Sequence, residues 1–193
     1  MYGPPHDYKG KPPDDTFVDR FKKELEKLVP GDPMEEKTTL GPLCTASALE
    51  LVQKQIKTAI DGGARLILGG TRLDRKGYFL EPTILTNIKP ENPAYYQEFF
   101  APVALIFRVK NEEEAINLAN DSPYGLGGTI ITKDIERGKH VARQIETGMV
   151  FINQATWTAP DLPFGGVKNS GYGRELSDLG IGEFVNKKLI RVA

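Results

Sequence analysis

Leu162-Pro163-Phe164-Gly165-Gly166-Val167-Lys168-Asn169-Ser170-Gly171-Tyr172-Gly173-Arg174-Glu175 is the stretch from which the rest of the chain is read. Four glycines fall within the nine residues 165–173. No ordinary helix or strand interior holds that density, because each glycine costs backbone entropy and returns no packing. Such a run suits a place where the backbone turns sharply or passes close to something else. Pro163 fixes its start, and Phe164 sets a large ring at the mouth of a polar loop. Two readings stay open: a loop lining a ligand pocket with Phe164 as a wall, or a crossing where two backbones touch. A phosphate loop is excluded, because Lys168 sits between the glycine pairs and no strand-forming run leads into Gly165.

Outward from this stretch, apolar runs and helical periods alternate. Gly148–Asn153 reads as a strand, Asp134–Glu146 as a helix with Ile135, Val141 and Ile145 on one face, and Gly127–Thr132 as a strand. Asn111-x-x-Glu114 is a cap pattern opening a short helix to Asn120, and Pro102–Val109 is a candidate buried strand. Tyr78–Leu85 is extended chain around Pro82. Arg65–Leu68 is a short strand whose unbroken Leu66-Ile67-Leu68 run suits cover on both faces. Ser47-x-x-Glu50 is a capping box opening a helix with Leu49, Val52, Ile56 and Ile60 inward, stopped at Gly62-Gly63. Asp14 or Asp15 can cap a helix to about Leu28, with Phe17, Phe21, Leu25 and Leu28 on one face. Its charge run over Lys22–Lys27 reads as a solvated face.

This rhythm predicts an α/β fold: a three-layer, open, largely parallel sheet with helices on its faces. Such sheets place ligands at the carboxyl ends of their strands. Residues 1–14, with Pro4, Pro5, Pro12 and Pro13, read as a flexible leader. Residues 15–184 form the expected domain. A short helix near Asp178–Phe184 precedes a final extended segment, 185–193, which Lys187 and Lys188 can protect as an edge strand.

Composition excludes several classes. The 193 residues hold 39% hydrophobic and 26% charged residues, as in ordinary globular proteins. With 25 basic and 26 acidic residues, the formal charge of -1 makes no electrostatic case for nucleic acid or an anionic membrane. No apolar run reaches the roughly 18–20 residues of a membrane span, and the N-terminus has no signal-peptide core. One cysteine forms no internal disulfide, which fits a reducing compartment such as the cytoplasm. With only His6, His140 and Cys44 as soft ligands, a zinc site is not expected.

The glycine-rich stretch, read as Pro163-Phe164-Gly165-Gly166-x-Lys168-x-Ser170-Gly171-x-Gly173-Arg174-Glu175, resembles the C-terminal signature of the NAD(P)-dependent aldehyde dehydrogenases. Other pieces agree in family order, among them Gly77-Tyr78-Phe79-Leu80-Glu81-Pro82-Thr83, Gln97-Glu98-Phe99-Phe100-Ala101-Pro102-Val103 and Gly148-Met149-Val150-Phe151-Ile152-Asn153. The likeness runs from about Phe17 to the end. The wording around Leu162–Leu176 and Gly182–Asn186 is most similar to the succinate-semialdehyde dehydrogenase branch.

The resemblance implies roles. Glu98 corresponds to the glutamate that binds the nicotinamide ribose, and Phe100 to the phenylalanine beside that ring. Gln97 stands where many members have a second glutamate, and Ala101 where most have glycine, so its methyl can shift the loop. Gln154–Leu162 corresponds to the substrate-tunnel wall, making Trp157, Thr158 and Phe164 candidate pocket residues; for Trp157, core packing is the alternative. Lys168 and Arg174 have the charge to bind a carboxylate substrate but are more often structural in this loop of the family, and are not assigned to substrate. NAD or NADP is the implied cofactor.

Catalysis in the family uses a cysteine thiolate, a glutamate base and a dinucleotide fold, all N-terminal to the matched region. The chain has no G-Q-x-C motif and no G-x-G-x-x-G turn. It is expected to resemble the distal part of the catalytic domain plus an oligomerisation tail, with no catalytic residue of its own and no activity alone. In the family the last strand joins a neighbouring subunit's sheet, so a homo-oligomer is implied. Two other readings remain: a non-catalytic module docking onto a full-length dehydrogenase, and an enzyme using Cys44, a thiol just before a helix start.

Overall fold

The computed structural model describes residues 13–193; the rest of the expected leader lies outside the described residues. The chain divides into two compact units, one ending at Arg108 and the other running from Val109 to Ala193.

In the unit ending at Arg108, helix α1 spans Pro13–Leu25. It starts inside the stretch expected as leader and ends three residues before Leu28. Its last turn tightens, with the amides of Lys27 and Leu28 bonding to Glu24 and Leu25 three residues back. Phe17 and Phe21 stack at 5.8 Å, and Lys27 pairs with Glu24 at 2.6 Å on the exposed side. Helix α2 spans Ala46–Asp61. Its N-cap is Thr45, whose hydroxyl accepts from the Ala48 amide at 3.1 Å, and not the expected Ser47. Thr45 has the extended backbone a cap requires, whereas Ser47 is already within the helix. Leu49, Val52, Ile56 and Ala59 form the buried stripe; Ile60 is exposed, so Ala59 takes the place expected for it. Gly63 closes the helix with φ +96. Its amide bonds to Ile60 and that of Ala64 to Ala59, the double bond of a Schellman cap.

Three strands follow: β1 (Arg65–Leu68), β2 (Thr83–Thr86) and β3 (Val103–Ile106). β2 lies in the centre, antiparallel to β1 and parallel to β3. Thr83, Ile84 and Leu85 are fully buried there. β1 is an edge strand with Leu66 exposed, so the cover on both faces read from its apolar run is not found. Against the sheet, α2 builds one core cluster with Leu80, and a second joins Ala59, Ala64, Leu85, Ile88 and Ala94.

In the second unit, α3 (Glu112–Asn120) is capped by Asn111, whose side chain accepts from the Glu114 amide at 2.8 Å, as the spacing predicts. Strand β4 (Tyr124–Gly125) is followed by β5 (Gly127–Ile130), helix α4 (Ile135–Ala142) and β6 (Met149–Ile152). β5 and β6 are parallel and joined through α4, a compact βαβ unit. Asp134 caps α4, which ends four residues before Glu146. Strand β7 (Val167–Lys168) runs antiparallel to β4. Helix α5 (Ser177–Gly180) and one 3₁₀ turn over Ile181–Phe184 follow.

The described residues thus hold mixed α/β structure in three small sheets, with two parallel and two antiparallel pairings. A single largely parallel sheet is not what they form. Within this chain residues 185–193 form no strand.

Candidate functional site

The loop carrying Glu98 begins where a 3₁₀ turn over Pro93–Tyr96 stops. Asn92, buried, caps that turn by accepting from Ala94 at 2.9 Å and donates to the Ala59 carbonyl at 2.8 Å, tying the turn to the end of α2. Gln97 is extended, and exposure alternates along the residues that follow, with Phe99 and Ala101 half-buried and Glu98 and Phe100 exposed. Phe99 packs on both core clusters and Ala101 on the cluster of Leu49, Val52 and Ile56. Glu98 and Phe100 face the other way. Phe100 is 83% exposed, and the Glu98 carboxylate has no partner among the described residues. The Glu98 carbonyl accepts from Gln55 Nε2 at 3.0 Å. The methyl of Ala101 is accommodated inward. The residue is not among those with positive φ, and its carbonyl closes a tight turn with the Val103 amide at 2.7 Å.

Trp157, Thr158 and Phe164 belong to the other unit. Trp157 is 62% exposed and Thr158 exposed, so core packing within this chain is not the role of Trp157. Phe164 is half-buried and exchanges both backbone bonds with Glu175, at 2.8 and 2.7 Å. Between those two residues the glycines perform a crossing. A Cβ on Gly148 would meet the Gly165 carbonyl, and one on Gly165 would lie 2.6 Å from the Gly173 oxygen. Of the two readings of the stretch, the tight backbone crossing is present.

Lys168 and Arg174 are committed to that crossing. Lys168 Nζ bonds to the Asn120 carbonyl at 2.7 Å and pairs with Glu146 at 2.8 Å. Arg174 donates to the Gly166 carbonyl at 2.9 Å. Asn120 was not singled out from the sequence, yet it organises this region. Its amide donates to Gln144 at 2.7 Å and its side-chain oxygen accepts from Glu146 at 2.8 Å. Only its position at the end of a helix hinted at this. Cys44 is exposed and directly precedes the cap of α2. Among the described residues no cluster of three metal-ligating side chains occurs, and no helix is long and apolar enough to cross a membrane.

The chain belongs to the aldehyde dehydrogenase family, whose sequence model matches residues 12–190. It is 49% identical over 177 residues to the succinate-semialdehyde dehydrogenase (NADP+) of Deinococcus radiodurans, a match covering 92% of this chain and 37% of that protein. The crystal structure of the succinic semialdehyde dehydrogenase of Streptococcus pyogenes in complex with NADP+ superposes with a TM-score of 0.90 at 51% identity, over 93% of this chain and 39% of that one. The betaine aldehyde dehydrogenase of Staphylococcus aureus in complex with NAD+ gives 0.84 at 34% identity, over 88% and 35%. The chain therefore spans little more than a third of the length of these relatives, with an aldehyde dehydrogenase fold of mixed α/β content.

Proposed function

We propose that this chain contributes the distal part of the catalytic domain of an NADP-linked aldehyde dehydrogenase oxidising succinic semialdehyde. The observation that carries this reading is the 49% identity with the Deinococcus enzyme over 177 residues. A carboxylate with no other partner can accept ribose hydroxyls, and an exposed ring two residues on can lie against a flat heterocycle. These two groups fit the nicotinamide-ribose end of the cofactor, which supplies a hydride acceptor when bound. Trp157, Thr158 and Phe164 are assigned to the aldehyde pocket. Residues 185–193 are assigned to assembly with a second copy, and the protein to the cytoplasm.

No catalytic cysteine is assigned. Cys44, the only thiol, stands in Leu43-Cys44-Thr45 and not in a G-Q-x-C motif, and the chain alone is assigned no activity. The test is complementation. The chain is co-expressed with the Deinococcus enzyme lacking its matching C-terminal third, and NADPH formation from succinic semialdehyde is followed. We expect turnover by the pair, none by either part, and about a tenfold higher KM for NADP+ with Glu98→Gln, from one weakened charged hydrogen bond. Steady turnover by the chain alone that disappears in Cys44→Ser would overturn the assignment of inactivity. A pair that prefers betaine aldehyde would overturn the substrate.

A further inference from the structure

The loop over residues 97–101 is held at both ends by its own backbone: the Gln97 amide bonds to Ala94 at 3.3 Å, and the Val103 amide to Ala101 at 2.7 Å. Phe99 and Ala101 anchor its inward face. The peptide that sets the direction of Glu98 has a single tether. Its carbonyl accepts from the side-chain amide of Gln55, on α2 and 43 residues away, and this is the only hydrogen bond Glu98 makes among the described residues. Gln55 is half-buried and flanks the stripe of Val52, Ile56 and Ala59, so its stem is fixed on a packed helix.

We propose that Gln55 is a positioning residue: from the rigid face of α2 it holds the Glu98 peptide so that Glu98 and Phe100 both face outward. This rests on the reading of that pair as cofactor contacts. With the tether lost, Phe99 and Ala101 still hold the loop to the core, and the fold persists. The Glu98 peptide is then free to rotate, and the carboxylate and ring lose their common direction. Only a donor of sufficient reach can serve here, because the partner is a carbonyl.

Donor chemistry and shape are separable. Gln55→Glu keeps the shape and removes the donor; Gln55→Lys changes the shape and keeps a donor of similar reach. The measurement is NMR of the full chain. In Gln55→Glu the Glu98 carbonyl carbon resonance shifts, and backbone order parameters of residues 98–100 fall from near 0.85 to below about 0.6, while those of α2 stay rigid. In Gln55→Lys both return toward the wild-type values. Unchanged loop order in Gln55→Glu, equal loss in Gln55→Lys, or loss that spreads along α2 each overturns the proposal. Saturation transfer to the nicotinamide protons of NADP+ is read on the same samples. A signal weakened several-fold in Gln55→Glu and restored in Gln55→Lys supports it further. No signal from any sample, beside the expected loop response, supports the tether and counts against the cofactor reading alone.

Discussion

A methyl group at residue 148 has no space to occupy. It would run into the carbonyl of Gly165 and come within 2.9 Å of the Gly166 Cα, both backbone atoms, with the Gly166 carbonyl bonded by Arg174 and β7 starting at the next residue. Such a clash cannot be relieved by a side chain swinging away. Gly148→Ala is therefore expected to cost about 2–3 kcal/mol. Gly128, in the neighbouring parallel pair, has ordinary φ and nothing nearer than 3.9 Å, so Gly128→Ala should stay within about 0.5 kcal/mol. Urea unfolding of the two variants makes the comparison, and equal midpoints would mean the crossing is slack. The contrast also shows what a sequence discloses at this scale. Glycine density marked Phe164–Glu175 as a place of close approach, but the partner backbone at Gly148 lies outside the stretch. The same holds for Gln55: a polar residue flanking an apolar helical stripe looks solvated until its carbonyl partner, 43 residues on, is known. Glu98 and Phe100 came from resemblance; what the residues add is their shared face, which follows from period-two alternation with Phe99 and Ala101 packed inward.

At the scale of elements, the alternation of helices and strands was legible because it rests on local rules. Asn111 caps the helix it was expected to open, and Asp134, read as the first residue of its helix, is its cap, since a short polar side chain reaches the third amide wherever the chain turns helical. α2 shows where such a rule is too weak. Thr45 and Ser47 are both hydroxyl residues, and the glutamate three after Ser47 favoured the wrong one. The helix begins one residue after Thr45, and Ser47 only meets the Thr45 hydroxyl at 3.0 Å. Thr45→Ala should then cost about 1 kcal/mol, and Ser47→Ala less than half of that, in the same denaturation experiment. A larger loss at Ser47 would restore the capping box. Strand direction was not legible. β1 follows α2 closely and has a sheet-interior sequence, yet it lies antiparallel at an edge. Pairing partners are set by contacts distant in the chain, and an unbroken run of three apolar residues carries no register.

The C-terminal segment raises a question that only the whole molecule can answer. Leu189 is 91% exposed, Ile190 79% and Val192 88%, and no residue from Val185 onward is covered within the chain. The segment begins extended at Val185, makes no backbone hydrogen bond among the described residues and turns apolar area to water, features from which sheet pairing between chains is built. Leu189, Ile190 and Val192 would each gain about 1.5–3 kcal/mol from burial in such a pairing, so losing two of them removes most of its apolar driving force. We therefore expect the chain to self-associate at micromolar concentration, and Leu189→Asp/Ile190→Asp together to give a monomer that unfolds at the same urea concentration as the parent. Light scattering across a concentration series decides it. A wild-type chain that scatters as a clean monomer throughout removes the assembly role of residues 185–193. An oligomer that survives the double substitution moves the interface elsewhere on the chain. A monomer that is also less stable shows the segment to be folded onto its own chain in solution.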